Sequence, residues 1–322
     1  MKRSPIAPLL GAVLIAVSAA TVAAEFPARP IRVLVPFAPG GVVDTSTRIL
    51  TSKLTERNEW QFVVDNRPGG NGFIAVQIAA RAVPDGYTLL SAHTGEFAVN
   101  PNVFKSVPYD FDKDFTSIIM VSDAPMLVVV NAQSPVNTLK DLIAQSRVKP
   151  VTFGSPGTGS VNHMASEWLV SAAKMNAVHV PYKGGAPAVS AVAGGEVTFT
   201  VAGLPGVLPH LQAKRVKVIG STTAKRTAQT PDWPTAQELG VPGVDASIWV
   251  GLFAPRGTPA TVVNRLYKAS ADALQLPEVR ERLAVVGGAE AVALSPTETH
   301  ARVKRDAQRY RKVVQDVALP LQ

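Results

Sequence analysis

The stretch that decides the fold and the site is Pro36-Phe37-Ala38-Pro39-Gly40-Gly41-Val42-Val43-Asp44. It follows a β-branched apolar run, Ile31 to Val35, which predicts a buried strand, and it precedes residues 45–54, whose apolar side chains recur at helical spacing. Glycines at that junction leave the backbone bare, and the first amides of a helix have no partner within it. Because the helix dipole adds partial positive charge there, the stretch favours an anionic ligand such as a carboxylate. A tight turn also uses paired glycines, so the motif alone leaves a purely structural role open.

The same strand–glycine–helix pattern recurs along the chain. Gly154 to Ser160 leads from a strand at residues 151–153 into a helix, and Lys183 to Gly185 follows a strand at residues 177–180. Strands that alternate with helices through short loops predict parallel sheets whose loops meet at the carboxyl ends of the strands. A helix terminus contributes only roughly 0.3–2 kcal/mol, whereas micromolar affinity needs about 8 kcal/mol. We therefore expect several of these loops to share one ligand.

The first 24 residues predict a secretory signal peptide. Lys2 and Arg3 precede an apolar segment from Ile6 to Val22, and small residues lead to Ala24, after which we place the cleavage. A retained membrane anchor is the alternative, although the apolar segment is short for a span of about 20 residues. The chain has no cysteine, so disulfides play no part in its stability.

The charge and the histidines argue against several classes of function. The formal net charge is +8, but the basic residues are scattered, and the densest group, Arg302 to Lys312, has the spacing of a solvated helix face, with a docking surface as the alternative. Basic residues interleaved with exposed aromatic residues are absent, so no nucleic acid is expected as partner. The five histidines are widely separated, and neither a Walker nor a dinucleotide-binding motif occurs. We expect no metal and no cofactor.

A periplasmic serine hydrolase is the alternative function. Ser155, Ser160 and His163 lie in or just after the glycine-rich loop and could supply a nucleophile and a base. However, the loop reads Gly157-Thr158-Gly159-Ser160, so the G-x-S-x-G elbow is missing. The spacing of Ser160 and His163 is typical of a helix N-cap, which favours a structural role for Ser160.

Several ordered motifs carry a resemblance to a known family. They are Phe26-Pro-Ala-Arg-Pro-Ile31, Pro36-Phe-Ala-Pro-Gly-Gly41 with Asp44 and Arg48, Pro84-Asp-Gly-Tyr-Thr-Leu-Leu90, Gly154-Ser-Pro-Gly-Thr-Gly-Ser160 with His163, Val180-Pro-Tyr-Lys-Gly184, Pro231-Asp-Trp-Pro-Thr235 with Glu238 and Gly240, and Ala254-Pro-Arg-Gly-Thr-Pro259. Over essentially its whole mature length the chain resembles the tripartite tricarboxylate transporter receptor (Bug) family of extracytoplasmic solute-binding proteins.

The resemblance implies an α/β protein with a type II periplasmic-binding-protein fold, in which two lobes surround a ligand cleft on a two-segment hinge. From the alternation of elements, including an apolar strand at residues 126–130, we place the hinge near Ala124–Val128 and Ala246–Val250. Lobe 1 then comprises residues 25–126 and 248–322, and lobe 2 comprises residues 127–247. The resemblance further implies a periplasmic, non-enzymatic receptor that holds a di- or tricarboxylate, an amino acid or an aromatic carboxylate. It would present this ligand to a membrane component of a tripartite tricarboxylate transporter or to a sensor domain, and we expect a monomer.

The resemblance also implies which residues contact the ligand. Phe37 forms an apolar wall, Gly40 and Gly41 meet the carboxylate, Asp44 orders their loop, and the loop from Ser91 to Gly95 faces the variable end of the ligand. The complete predicted set is Phe37, Pro39, Gly40, Gly41, Asp44, His93, Thr94, Ser155, Thr158, Gly159, Ser160, His163, Tyr182, Lys183 and Gly184. The turn Gly70-Asn71-Gly72 departs from the family pattern, which often reads Gly-Ala-Gly-Gly, and is expected to lie away from the cleft.

Overall fold

The computed structural model describes residues 26–322, so the predicted signal peptide lies outside the described residues. The first part of the chain forms β1 (Ile31–Val35), α1 (Val42–Asn58), β2 (Phe62–Asn66), α2 (Phe73–Ala80), β3 (Thr88–His93), α3 (Asn100–Val103), α4 (Phe111–Asp114) and β4 (Phe115–Asn131). The middle forms α5 (Leu139–Val148), β5 (Val151–Ser155), α6 (Val161–Ala172), β6 (Ala177–Pro181), α7 (Gly185–Gly194), β7 (Phe199–Gly203), α8 (Leu204–Gln212) and β8 (Val216–Ser221). The last part forms β9 (Ser247–Pro255), α9 (Ala260–Leu274), α10 (Pro277–Val285), β10 (Glu290–Leu294) and α11 (Pro296–Asp316).

The strands form one mixed sheet in the order β2-β1-β3-β9-β4-β7-β5-β6, with β8 and β10 also paired to β4. Within each lobe the prediction of parallel pairing is confirmed, because β1 is parallel to β2 and β3, and β5 is parallel to β6 and β7. The prediction is wrong for β4 and β9, which pair antiparallel with each other and with their other neighbours. The reason is topological: β4 carries the chain out of the first lobe and β9 brings it back, so the two run in opposite directions.

Strand β4 belongs to both halves of the sheet. Its residues Phe115–Pro125 pair with β9, whereas Met126–Asn131 pair with β7 and β8. Proline has no N–H to donate, which suits Pro125 to the point where the partners change. The sequence predicted only the second half, because Ser117, Ser122 and Asp123 interrupt the apolar pattern of the first. The return crossing lies where Ala246 donates to Thr222 of the second lobe and Ser247 pairs with Pro125. These positions fall within the predicted hinge segments, and their movement as a hinge stays a prediction.

Side chains of helix α11 bind both strands that run between the lobes, β4 and β9. The Arg302 guanidinium lies 3.0 Å from the Asp123 carboxylate of β4 and donates to the Ser247 hydroxyl of β9 at 3.2 Å. Asp306 accepts from Arg302 at 2.6 Å and from the indole N–H of Trp249 at 3.1 Å. Burial raises the pKa of Asp123 even though the Arg302 charge acts against this shift. Arg302 is therefore an exception to the solvated face predicted for the basic residues of this helix.

We expect Arg302→Met to lower the free energy of unfolding by about 3–5 kcal/mol, because Asp123 would stay buried without its cation and Asp306 would lose the cation that contacts it at 2.6 Å. Urea denaturation followed by circular dichroism measures this loss. Arg305→Met is the matched control, since Arg305 lies on the same helix, is half-exposed and approaches Asp306 only to 3.6 Å. It should cost less than about 1 kcal/mol. Equal losses in the two variants would contradict the role of Arg302.

Candidate ligand-binding cleft

A cavity of about 360 Å³ lies between the two lobes, beyond the carboxyl ends of β1, β3, β5 and β6. Its wall consists of Phe37, Gly41, Val42, Val43, Asn71, His93, Gly95, Glu96, Asn100, Pro156, Gly159, Ser160, Val161, Asn162, Gly184, Gly185 and Ile248. An adjoining cavity of about 240 Å³ shares part of this wall and includes Gly40 and Gly203. Among the residues that line the larger cavity there is no lysine or arginine.

Three helices begin at this cavity. Helix α1 starts after Gly41, α6 after Ser160 and α7 after Gly184, and the first residues of each helix form part of the wall. The first amides of a helix lack partners within it, and the macrodipole concentrates partial positive charge at that end. The cavity is thus surrounded by backbone donors, which suit an anion without any cationic side chain.

The Phe37–Gly41 loop is held by Asp44, as the sequence predicted. The Asp44 carboxylate accepts from the amide of Gly40 at 2.9 Å, from the Asn66 side chain at 2.9 Å and from Arg48 at 2.9 Å. Although burial raises the pKa of Asp44, its hydrogen bonds to Arg48, Gly40 and Asn66 hold it below the usual value. The Gly40 amide is therefore occupied by Asp44, and Gly41 is the loop glycine that lines the larger cavity.

Ser155 and His163 accept hydrogen bonds from the backbone of the second glycine-rich loop. Ser155 is buried, with its hydroxyl 2.6 Å from Nε2 of His179 and accepting from the Gly157 amide at 3.2 Å. The His163 ring stacks on that of His179 at 3.8 Å and its Nδ1 accepts from Gly159 at 3.1 Å. These contacts hold the loop that places Gly159 and Ser160 in the cavity wall. Ser160 caps α6, since its hydroxyl accepts from the amide of His163 at 3.2 Å.

The predicted residues divide into two groups. Phe37, Gly41, His93, Gly159, Ser160 and Gly184 line the larger cavity. The others lie around it, and they are Pro39, Gly40, Asp44, Thr94, Ser155, Thr158, His163, Tyr182 and Lys183. Thr94, for example, bonds the backbone of β9, accepting from Trp249 N at 3.0 Å and donating to Ser247 O at 3.1 Å. Lys183 is exposed, and Tyr182 reaches Glu196 at 3.4 Å.

Sequence reasoning missed several polar residues of the wall. Asn71 lines the cavity, so the expectation that Gly70-Asn71-Gly72 lies away from the cleft is wrong. Asn71 adopts a left-handed conformation (φ 51°), and its carbonyl accepts from the side chain of Asn100 at 2.8 Å. Glu96 and Asn100 follow the predicted loop 91–95 but reach the cavity through a π-helical turn at Gly95–Val99, for which the sequence carries no recognisable signal.

His93 and Glu96 form a close pair in the wall. The ring Nδ1 of His93 lies 2.6 Å from Oε2 of Glu96, and the backbone amide of His93 donates to the same oxygen at 2.8 Å. The ring of Phe37 packs on the His93 ring with centroids 4.5 Å apart. The residues described by the structure include no cluster of three metal-ligating side chains. Within residues 26–322, no helix combines the length and the apolar character that crossing a bilayer requires.

The fold and the cleft define a two-lobed solute-binding protein of the periplasmic-binding-protein type. Residues 47–319 match the sequence profile described as the tripartite tricarboxylate transporter family receptor, so the chain belongs to that family. The resemblance based on the motifs is thereby confirmed.

Relatives and solved structures agree with this assignment. The protein BugT of Bordetella pertussis is 34% identical over 309 residues, which cover 94% of this chain and 94% of BugT. Rpa4515 of R. palustris, solved with adipate, has 33% identity and a TM-score of 0.84, over 91% of this chain and 99% of that one. MatC of Rhodopseudomonas palustris, solved with bound malate, has 32% identity and a TM-score of 0.78, over 90% of this chain and 100% of that one.

The stacked rings of His163 and His179 lead us to expect that the stability of the protein depends on pH. Burial, together with the neighbouring His163, lowers the pKa of His179 to about 4 from 6.5. The folded state therefore binds a proton less readily than the unfolded state, so the stabilisation is complete above about pH 6.5 and is lost as the pH falls towards 4. Because the ring is partly exposed, we expect a loss of only about 1–2 kcal/mol between pH 7 and pH 5.

Urea denaturation of the wild type and of His179→Gln at both pH values measures this effect. The variant is less stable at pH 7 because it loses the ring contacts, but its stability should fall less between pH 7 and pH 5. If the two proteins lose the same free energy over that interval, His179 does not carry the pH dependence.

Proposed function

We propose that the protein is a periplasmic receptor that captures a small carboxylate in the cleft between its lobes, for uptake or sensing. The observation that carries the proposal is the convergence of the amino ends of α1, α6 and α7 on one cavity without lysine or arginine in its wall. Two proteins of the same fold that were solved with adipate and with malate support it.

The energetics require donors from both lobes. Micromolar affinity needs about 8 kcal/mol, and each charge-assisted hydrogen bond contributes roughly 1.5–3 kcal/mol. One helix end cannot supply this, whereas three ends that meet around a carboxylate can. The cavity volume of about 360 Å³ and the apolar surfaces of Phe37, Pro156 and Ile248 suit a small organic acid.

We further propose that the protein binds its ligand without turnover. The pair formed by Ser155 and His179 has the spacing of a nucleophile and a base, but Ser155 has no exposed surface and is absent from the cavity wall. Ser160 does line the cavity, where its hydroxyl is used as a helix cap. A substrate carbonyl held in the cavity would therefore meet no activated serine.

We also propose where the protein acts and to which partner it delivers its ligand. The signal peptide takes the chain to the periplasm and is removed after Ala24, and the receptor then acts as a monomer. It passes its ligand to a membrane component of a tripartite tricarboxylate transporter or to a periplasmic sensor domain, in keeping with the family to which the chain belongs.

Isothermal titration with adipate, malate and other small carboxylates tests the proposal on protein that has been unfolded and refolded to remove copurified ligand. At least one member should bind, and Gly41→Val should weaken that binding at least about tenfold. A Cβ at position 41 has only the carbonyl of Ala38 within 4 Å, at 3.9 Å, and φ there is −78°. The new side chain therefore fits the fold but occupies the approach to the start of α1.

Gly194→Ala is the matched control, because Gly194 lies at the other end of α7 and a Cβ there meets only Glu196 at 3.8 Å. It should leave the affinity unchanged. Binding that survives Gly41→Val would remove Gly41 from the site, and the failure of every carboxylate to bind folded protein would refute the proposed function.

A further inference from the structure

Glu96 has a buried carboxylate, and one of its two oxygens lacks a hydrogen-bond partner among the described residues. The residue is 0% exposed, and its Oε2 is occupied by the backbone amide and the ring of His93. Oε1 has no hydrogen-bond partner in the part of the chain that the structure describes. Buried polar atoms are nearly always paired, since an unpaired one keeps its full desolvation penalty. Because Glu96 is part of the cavity wall, this unpaired oxygen lies just beneath the surface that a ligand would touch.

Asn100 also lines the cavity, and its side chain can offer a ligand only a hydrogen-bond acceptor. Its side-chain amide donates to the carbonyl of Asn71 at 2.8 Å and to the Tyr109 hydroxyl at 3.3 Å. An amide group has two N–H donors, so both are in use and only Oδ1 of Asn100 remains. Glu96 and Asn100 thus make this part of the wall rich in acceptors, in contrast to the donors at the three helix ends.

The charge of this wall also disfavours a second carboxylate. His93 contacts only Oε2 of Glu96 and leaves Oε1 without a donor. Oε1 lies against Gly72, where a Cβ would come within 2.5 Å of it, next to Asn71 in the cavity wall. In such a water-poor setting the charge of Glu96 acts on a bound ligand even without direct contact.

We propose that Glu96 makes this receptor select carboxylates that carry a hydrogen-bond donor, such as an ammonium or hydroxyl group, at the far end. The carboxylate of the ligand meets the helix ends and its donor faces Glu96, so a dicarboxylate of the same length binds more weakly. Glu96 is then a specificity-determining residue of the cleft. The inference rests on the proposed function of the same cavity.

Matched ligand pairs test the inference by isothermal titration of the refolded full chain. The pairs are succinate with 4-aminobutanoate, glutarate with 5-aminopentanoate, and adipate with 6-aminohexanoate, and within each pair only the far end differs. At the length that fits, the amino acid should bind at least about tenfold more tightly, because like charges placed together are strongly unfavourable. This comparison needs no variant.

Glu96→Gln keeps the shape of the side chain and removes its charge. It should reduce the preference at least about tenfold, with tighter binding of the dicarboxylate. Glu56→Gln is the control, because it makes the same change of charge on the exposed surface of α1, where Glu56 pairs with Lys53. It should leave the preference unchanged.

The outcomes separate the two proposals. Dicarboxylates that bind more tightly at every length, or a preference that Glu96→Gln does not change, would overturn the role of Glu96 and leave the carboxylate receptor intact. If no ligand of either type binds, the proposed function fails and this inference fails with it.

Discussion

The structure depends on one continuous strand that is hydrogen-bonded into both lobes. Because β4 changes partners between Pro125 and Met126 without ending, it joins the two halves of the sheet directly. The carboxyl ends of β1 and β3 in one lobe and of β5 and β6 in the other consequently border the same space. Helix α11 reinforces this arrangement, since Arg302 binds side chains of both crossing strands and Asp306 binds the indole of Trp249 on β9. The cleft thus exists because β4 carries the sheet from one lobe into the other.

Backbone amides and charged side chains have different roles around this cleft. In the binding mode that we propose, the attraction for an anion comes from backbone amides at helix ends, which need no counterion. Charged side chains near the cavity serve the frame instead, as when Asp44 and Arg48 hold the Phe37–Gly41 loop. Glu96 is the exception, because half of its carboxylate is used by His93 and the other half by nothing in the described chain. In our proposal this acid and the helix ends give the cavity two chemically different ends.

The glycine-rich loop of the second lobe shows how a suggestive set of residues can serve structure. Ser155 lies at hydrogen-bonding distance from His179, and the ring of His163 stacks on that of His179. Ser155 Oγ, however, also accepts from the amide of Gly157, and His163 Nδ1 accepts from the amide of Gly159. This arrangement fixes a loop with two glycines at positive φ, Gly157 and Gly159, and a Cβ on Gly159 would come within 2.7 Å of Val103 of the other lobe. The cluster therefore holds a loop that approaches the other lobe closely.

The sequence by itself determined the family, the alternation of strands and helices, and the loops that carry the site, because these depend on local patterns of apolar residues, glycines and caps. The family resemblance also implied an ordering role for Asp44, whose carboxylate accepts from the amide of Gly40 in the structure. Only the tertiary structure decided that β4 and β9 run antiparallel, that Asn71 reaches the cavity, and that Glu96 and Asn100 form an acceptor wall there. These features arise from contacts between segments far apart in the chain, whose geometry no local pattern encodes. For the same reason, the sequence could name Ser155 and His163 but could not tell that they bond the loop backbone and lie outside the wall of the larger cavity.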